Sequence, residues 1–321
     1  MKQHIITHLT DTDLYKFTVQ RIFLKNFIDA TGRYEFVCRN PDVTFTHEQV
    51  MRIKDEINNL CNLRFTRDEL DFIRSIDYLG ASWYVEFLRN FQLNSEYIDI
   101  KLDENGKLHI VAEGSLYHVM FFEVFILSIV NEVYFDSNYP NQDMSEAKNI
   151  LNKNIRIAKI SKFKFSDFGT RRRFSKDWHD YVIKTLVETK QKESWLNFAG
   201  TSNVYFAMKY GINCYGTFGH EFPMAMQGLS EIPVANSQSY ALDIWIKTYG
   251  SSLGCCLTDT MGWQKFSKDF NEFYAKLFNG VRIDSGDNYE IANKIIRHCI
   301  SYLISLHFFI LIIKKIDINS K

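Results

Sequence analysis

From residue 163 onward the sequence repeats one arrangement five times: a short apolar or aromatic run, a turn with polar residues, and a helical pattern. Successive βα units have this layout, and in a β/α barrel the residues at the carboxyl ends of the strands carry out the chemistry. Eleven of the 15 glycines lie between Gly169 and Gly286, so sharp turns are concentrated in the same part. The pattern predicts polar strand ends at 166–173, 200–203, 216–221, 257–260 and 281–287.

The preceding part of the chain mixes helical and strand patterns, which predicts an N-terminal α/β domain over residues 1–135. A helix is expected over 11–27, capped by Thr10 or Asp11. Further helices are expected over 46–63, 66–76, 116–135, 237–249 and 261–277. Residues 136–298 are predicted to form an irregular, incomplete α/β barrel, because a closed barrel needs more strands than the five that the pattern provides. The fold class predicted from the sequence is therefore α/β.

Composition argues against several classes of protein. Lys plus Arg and Asp plus Glu both number 38, and a net charge of zero argues against a dedicated nucleic-acid-binding protein. None of the six cysteines has the spacing of a zinc site, which favours reduced thiols in a cytoplasmic protein. The N-terminus has no apolar signal core before Asp11, and the apolar run 300–313 is short for a membrane span. We therefore expect a cytoplasmic protein without nucleic-acid or membrane partners.

Two short motifs match well-known nucleotide-binding signatures but lack their context. Asp167-Phe168-Gly169 has the residues of the metal-binding triplet of protein kinases, yet no His-Arg-Asp loop precedes it. Residues 211–216 have the spacing of a P-loop, yet Thr217-Phe218 stands where Lys and Ser or Thr are required. The sequence therefore argues against a protein kinase and against a P-loop ATPase.

Charged and titratable residues at the predicted strand ends are the candidates for chemistry. Arg171 is one of three consecutive arginines, and a guanidinium can bind a carboxylate or phosphate, although a solvated charge run is the alternative. The imidazole of His220 can act as a general base or as a nucleophile toward phosphorus. Asp259 and Asp284 can hold Mg²⁺ or accept hydrogen bonds from sugar hydroxyls, or they can cap the helices that follow.

Five segments together resemble the motifs of the nicotinate phosphoribosyltransferases, which belong to the type II phosphoribosyltransferase family. The motifs occur in family order at 9–16, 166–175, 198–203, 216–227 and 282–287. The resemblance implies an ATP-coupled, ligase-type enzyme of NAD salvage that forms nicotinate mononucleotide and diphosphate from nicotinate and phosphoribosyl diphosphate. It implies Mg²⁺ as cofactor, ATP as co-substrate, and a homodimer with shared active sites.

The same resemblance implies a role for each candidate residue. His220 matches the phosphorylated histidine of the family, and Asp284 matches a catalytic position. Tyr15 and Phe168, either of which alone could be a core residue, match the aromatic pair that sandwiches the pyridine ring, with Tyr15 supplied by the neighbouring subunit. Positions around the substrates and the metal are matched by Arg171, Thr201, Ser202, Asn203, Arg282, Asp259 and Asp284, with the two aspartates as Mg²⁺ ligands.

Ser202 is the residue that the sequence singles out for the choice of substrate. The related nicotinamide enzymes carry an Asp at the matching place, where it accepts a hydrogen bond from the ring amide. An Asp would repel the carboxylate of nicotinate, whereas a Ser hydroxyl can donate to that carboxylate. The resemblance and the electrostatics therefore both predict the acid as the substrate and disfavour a nicotinamide-type enzyme.

The C-terminal residues 299–321 are predicted to be an atypical apolar tail, which contains no glycine or proline. The resemblance covers roughly residues 5–298 and stops after His298, whereas members of the family continue through further barrel strands with glycine-containing loops for the 5′-phosphate. The sequence therefore predicts a C-terminally truncated enzyme. The alternative function is a catalytically inactive remnant that binds only a ligand or a partner subunit, and low solubility is expected because the sheet edges stay open.

Overall fold

The computed structural model of the protein describes residues 3–229, 232–250 and 254–302. The chain divides into two compact units, Met1–Tyr215 (unit 1) and Gly216–Lys321 (unit 2). Both units combine helices with sheets, so the predicted α/β class is confirmed. The predicted domain boundaries after residues 135 and 298 remain a prediction, and most of the predicted tail lies outside the described residues.

Unit 1 begins with helices around an antiparallel sheet. Its first elements are α1 (Leu14–Asn26), β1 (Thr31–Glu35), α2 (His47–Asn62), α3 (Arg67–Ser75), α4 (Ser82–Asn90), β2 (Ile98–Leu102), β3 (Leu108–Ser115), α5 (Leu116–Val119), α6 (Phe122–Asn138) and α7 (Ser145–Ser161). The three strands lie in the order β1-β3-β2. Capping boxes that begin at Thr46 and Thr66 satisfy backbone donors of α2 and α3, so these threonines set where the helices begin.

A parallel sheet in unit 1 carries the first predicted strand ends. Its elements are β4 (Phe165–Asp167), α8 (Lys176–Lys192), β5 (Phe198–Thr201), α9 (Val204–Tyr210) and β6 (Asn213–Cys214), with the strands in the order β4-β5-β6. Ile183 of α8 packs with Phe198 and Phe206 in one buried apolar cluster. A Cβ atom on Gly200 would lie 2.0 Å from the carbonyl oxygen of Asn213, so the close approach of β5 and β6 requires glycine at this position.

The first helix begins later than the sequence predicts. The expected start at Asp11, with Thr10 or Asp11 as the cap, is wrong, because α1 begins at Leu14. The carboxylate of Asp11 instead accepts hydrogen bonds from the guanidinium of Arg173. The backbone N–H of Leu14 donates to the carbonyl oxygen of Ser202. Contacts with distant parts of the chain therefore accompany turns and bends at residues 9–12 in place of the first turn of a helix.

Helices α5 and α6 together form an apolar stretch at Leu116–Asn138, where the sequence predicts one long apolar helix. By length and composition this stretch could cross a membrane, but 67% of its most apolar window is buried inside the protein. Phe122, Phe125 and Ile129 have no solvent exposure. The stretch therefore has the packing of a core helix in a soluble protein.

Unit 2 carries the remaining predicted strand ends. Its elements are α10 (Glu221–Leu229), α11 (Ser237–Tyr249), β7 (Cys255–Leu257), α12 (Trp263–Asp269), α13 (Glu272–Leu277), β8 (Gly280–Arg282) and α14 (Asn288–Ile300). Strands β7 and β8 pair in parallel. The single helix predicted over 261–277 is wrong, because the side chain of Asn271 accepts from the backbone N–H groups of Phe273 and Tyr274 and starts a second helix. All five predicted strands are thus present among the described residues, whereas their arrangement as an irregular, incomplete barrel remains a prediction.

Candidate active site

The turn after β4 presents an aromatic ring to solvent. Phe168 is 38% exposed, although phenylalanine is among the residues most often buried. The carboxylate of Asp167 accepts hydrogen bonds from the backbone N–H of Gly169 at 3.2 Å and from the hydroxyl of Thr201 at 2.7 Å. These bonds hold the backbone on both sides of Phe168 in place. Because the ring of Phe168 is also exposed, it is available for stacking on a flat ligand.

Two of the predicted site residues contact the carboxylate of Glu123, which lies in α6. Its carboxylate pairs with Lys16 and lies 3.4 Å from the guanidinium of Arg171, and it accepts a hydrogen bond from the hydroxyl of Tyr15 at 3.5 Å. Burial opposes the ionisation of Glu123, but the positive charges of Lys16 and Arg171 outweigh burial and lower its pKa. Tyr15 and Arg171 are far apart in the sequence, yet they meet at one carboxylate in unit 1.

The three consecutive arginines have different surroundings. Arg172 is exposed, whereas Arg173 is buried and binds the buried carboxylate of Asp11 with both terminal nitrogens, at 2.7 and 3.0 Å. Burial alone would raise the pKa of Asp11, but the charge and hydrogen bonds of Arg173 lower it to about 2. Arg173 therefore anchors the segment before α1, and of the three arginines it is Arg171 that borders the exposed turn.

The predicted substrate-binding residues at the end of β5 are fully buried. Thr201, Ser202 and Asn203 each have 0% exposure. Thr201 donates to Asp167, Ser202 donates through its hydroxyl to Asp13 at 2.7 Å, and Asn203 caps α9. All three side chains are engaged with the protein and hold neighbouring segments at the strand end. Their contact with a substrate remains a prediction.

Two acidic residues of this region were not predicted from the sequence. Asp13 is buried, and burial raises its pKa, although the hydrogen bond from Ser202 and the charge of Arg171 oppose the increase. Glu123 was not predicted either. A lone acid in an apolar helix needs a buried partner, which is the signal that could have identified Glu123. The local pattern around Asp13 gives no comparable signal, because its partner Ser202 lies on a distant strand.

Unit 2 brings together three of the predicted site residues, which are the catalytic candidates His220 and Asp284 and the metal-ligand candidate Asp259. The Nε2 atom of His220 lies 3.0 Å from Oδ1 of Asp259, and its Nδ1 atom lies 3.6 Å from Oδ2 of Asp284. The parallel pairing of β7 and β8 explains this, because each aspartate follows one of the two strands. The imidazole is 33% exposed and thus accessible. Whichever nitrogen carries the hydrogen, a carboxylate lies near it, and the other nitrogen keeps its lone pair for attack on phosphorus.

The donor set fits Mg²⁺ through its carboxylates. The candidate ligand atoms of His220, Asp259 and Asp284 lie within 4.8 Å of one another. Mg²⁺ takes oxygen ligands and usually keeps several waters, so the two carboxylates suit this cation and the imidazole does not. Burial would raise the pKa of Asp259, but hydrogen bonds from His220 and from Ser285, at 2.5 Å, lower it and keep the carboxylate ionised. Arg282, the last residue of β8, precedes Asp284 by two positions.

Two protein-family models match the chain. The N-terminal domain model of the nicotinate phosphoribosyltransferase (NAPRTase) family matches residues 10–131, and the nicotinate phosphoribosyltransferase (NAPRTase) family model matches residues 163–313. The second match extends beyond His298, where the resemblance was predicted to stop. The similarity therefore continues further into the C-terminal residues than the sequence analysis predicted.

Curated relatives and a solved structure agree with the family models. The chain is 41% identical to the nicotinate phosphoribosyltransferase of Burkholderia ambifaria over 300 residues, which are 92% of this chain and 73% of that protein. It is 41% identical to the enzyme of the same name from Ralstonia pickettii, over 92% of this chain and 75% of that protein. The crystal structure of nicotinate phosphoribosyltransferase from Porphyromonas gingivalis superposes with a TM-score of 0.88 at 31% identity, covering 96% of this chain and 78% of that chain.

Proposed function

The chain belongs to the nicotinate phosphoribosyltransferase family, and we propose that it forms nicotinate mononucleotide and diphosphate from nicotinate and phosphoribosyl diphosphate in NAD salvage. The observation that carries this proposal is the turn after β4. It presents the exposed ring of Phe168 and, three residues later, the guanidinium of Arg171. Nicotinate is a flat ring with a carboxylate, so it needs one group for stacking and one for charge.

Tyr15 is proposed to cover the other face of the pyridine ring. In the family resemblance this tyrosine comes from the neighbouring subunit, which makes a homodimer with shared sites part of the proposal. Within this chain the hydroxyl of Tyr15 and the guanidinium of Arg171 contact the same carboxylate of Glu123, which supports a role near the base for Tyr15 of the same chain, whereas its supply by the neighbouring subunit rests on the resemblance alone. Ser202 is proposed to set the preference for the acid, and because its one hydroxyl hydrogen is donated to Asp13, the preference is proposed to come from the absence of a carboxylate at residue 202 and not from a hydrogen bond to nicotinate.

His220 is proposed to couple the reaction to ATP. A nitrogen of its imidazole attacks the γ-phosphorus of ATP, so that an N–P bond forms, the bond to the bridging oxygen breaks, and ADP leaves. Asp259 and Asp284 would hold Mg²⁺, which supplies positive charge to phosphate oxygens when it is bound. Arg282, at the end of β8, is proposed to bind an anionic part of phosphoribosyl diphosphate. A cytoplasmic location remains a prediction.

The test is product formation by the purified chain with phosphoribosyl diphosphate, ATP and Mg²⁺, with either nicotinate or nicotinamide as the base. Mass spectrometry of the nucleotide products should show nicotinate mononucleotide, with the acid preferred by about 10²-fold or more in kcat/KM, because a pocket built for one charge discriminates strongly. Phe168→Ala should raise the KM for nicotinate, since the exposed ring is lost.

Three outcomes of this assay have different meanings. Nicotinate mononucleotide as the product supports the proposed function. Equal use of both bases contradicts the specificity assigned to Ser202. Binding of nicotinate without any turnover, measured by calorimetry on the same preparation, would favour the inactive remnant.

A further inference from the structure

We infer that His179 is a positioning residue for base binding, which acts through Asp167 to hold the ring of Phe168. His179 lies in the first turn of α8, and its Nε2 atom is 2.9 Å from Oδ2 of Asp167. The imidazole is 4% exposed and sits edge-on to the ring of Phe206, with the centroids 4.8 Å apart. Because it depends on Phe168 as the stacking residue, this role presupposes the proposed function.

The hydrogen bond from His179 completes the set of donors around Asp167. The oxygen that accepts from His179 also accepts from the hydroxyl of Thr201, and the other oxygen accepts from the backbone N–H of Gly169. The backbone carbonyl of Asp167 accepts from the N–H of Ser202, which ties the end of β4 to the end of β5. A carboxylate bound on both oxygens cannot rotate, and Phe168 is the next residue in the chain.

The polar contacts of the His179 ring all point to Asp167. Its Nδ1 atom is buried and has no hydrogen-bond partner among the residues that the structure describes. The nitrogen that donates to Asp167 is therefore Nε2, because Nδ1 has no acceptor among the described residues. The ring orientation is therefore set by Asp167 and by packing against Phe206.

Gly169 gives independent support for this arrangement. A Cβ atom at residue 169 would lie 3.0 Å from Oδ1 of Asp167 and 3.6 Å from Nε2 of His179. The carboxylate and the imidazole thus occupy the space beside the turn that a side chain would need. In the Asp167-Phe168-Gly169 triplet, Asp167 is the anchor, Phe168 presents the ring, and Gly169 leaves room for the anchor and its imidazole partner.

The test is a pair of substitutions at residue 179. His179→Leu fills the space without a donor and should raise the KM for nicotinate by about tenfold or more, with the KM for phosphoribosyl diphosphate within about twofold of wild type, since losing a buried hydrogen bond of this kind typically costs on the order of a tenfold factor. His179→Gln supplies an amide N–H in place of Nε2–H and should restore the nicotinate KM to within about threefold of wild type.

Ile183→Ala is the matched control, because Ile183 is fully buried one turn further along α8 and has no polar contact with Asp167. It should lower the melting temperature without a selective change in the nicotinate KM. If His179→Leu does not fold, Thr201→Val removes the other side-chain donor to the same oxygen and should raise the nicotinate KM in the same way.

Two results separate this inference from the proposed function. Wild-type protein that makes no nicotinate mononucleotide contradicts the proposed function. Active wild-type protein whose nicotinate KM is unchanged in His179→Leu, or rises equally for both substrates, overturns the positioning role alone.

Discussion

At the scale of single residues, the role that we propose for Ser202 in substrate choice can be tested at its buried hydrogen bond. Its hydroxyl donates to Asp13, whose pKa burial already raises. Ser202→Asp would place a second carboxylate beside Asp13 and near the base, and like charges in contact cost several kcal/mol. We expect kcat/KM for nicotinate to fall by about 10²-fold or more, and to fall less for nicotinamide. Steady-state kinetics with both bases measure the difference.

Ser202→Ala is the control for this prediction, because it removes the same hydrogen bond without adding a charge. It should lower stability while largely keeping the preference for nicotinate. If both variants reduce the use of the two bases by the same factor, Ser202 has only a structural role and does not select the substrate.

The sequence predicts some contacts between site residues and misses others, and the difference has a physical reason. His220, Asp259 and Asp284 were predictable as a group, because each occupies a polar turn next to a βα unit, and parallel strands bring such turns to one edge. The inward turn of Arg173 toward Asp11 was not predictable, because it joins residues far apart in the sequence. The pattern of neighbouring residues does not indicate a partner that is distant in the sequence.

At the scale of elements, the Asp11–Arg173 ion pair ties the segment before α1 to the segment before α8. The pKa of Asp11 is lowered to about 2, so its ionised form stabilises the fold at pH values above the unfolded pKa of 3.8. This stability, about 2 kcal/mol, is lost as the pH falls from about 4 to about 2. Urea unfolding at several pH values should show a steeper acid loss in wild type than in Asp11→Asn.

The Asp11→Asn variant should also be less stable than wild type at pH 7, by about 3–5 kcal/mol, because it removes the carboxylate that binds both terminal nitrogens of the buried Arg173. Asp42→Asn is the control, since Asp42 is exposed. An acid loss in Asp11→Asn that equals the wild-type loss would show that Asp11 is not the group that titrates.

Element boundaries followed local signals except where long-range contacts intervened. Helix α11 was predicted at the residues where it occurs, and the starts of α2 and α3 follow from their threonine caps. The start of α1 was wrong because the residues before Leu14 form turns and bends that are held by contacts with Arg173 and Ser202. The break between α12 and α13 was missed because its only local signal is the single cap Asn271.

At the scale of the whole molecule, the predicted family is confirmed. The predicted effects of the C-terminal residues 299–321 concern a segment of which the structure describes only the first few residues. The family match extends to residue 313, whereas the structure describes the chain to residue 302. The expectation that residues 299–321 leave the protein poorly soluble and weakly active remains a prediction. Light scattering and specific activity of the same preparation would measure both properties together.

The central claim is that this chain transfers a phosphoribosyl group to nicotinate with coupling to ATP through His220. The most direct measurement is the initial rate of nicotinate mononucleotide formation with and without ATP, in wild type and in His220→Asn. We predict that ATP increases the wild-type rate and is hydrolysed with turnover, and that His220→Asn loses this stimulation while still binding nicotinate. Equal ATP stimulation in the two proteins would contradict the account.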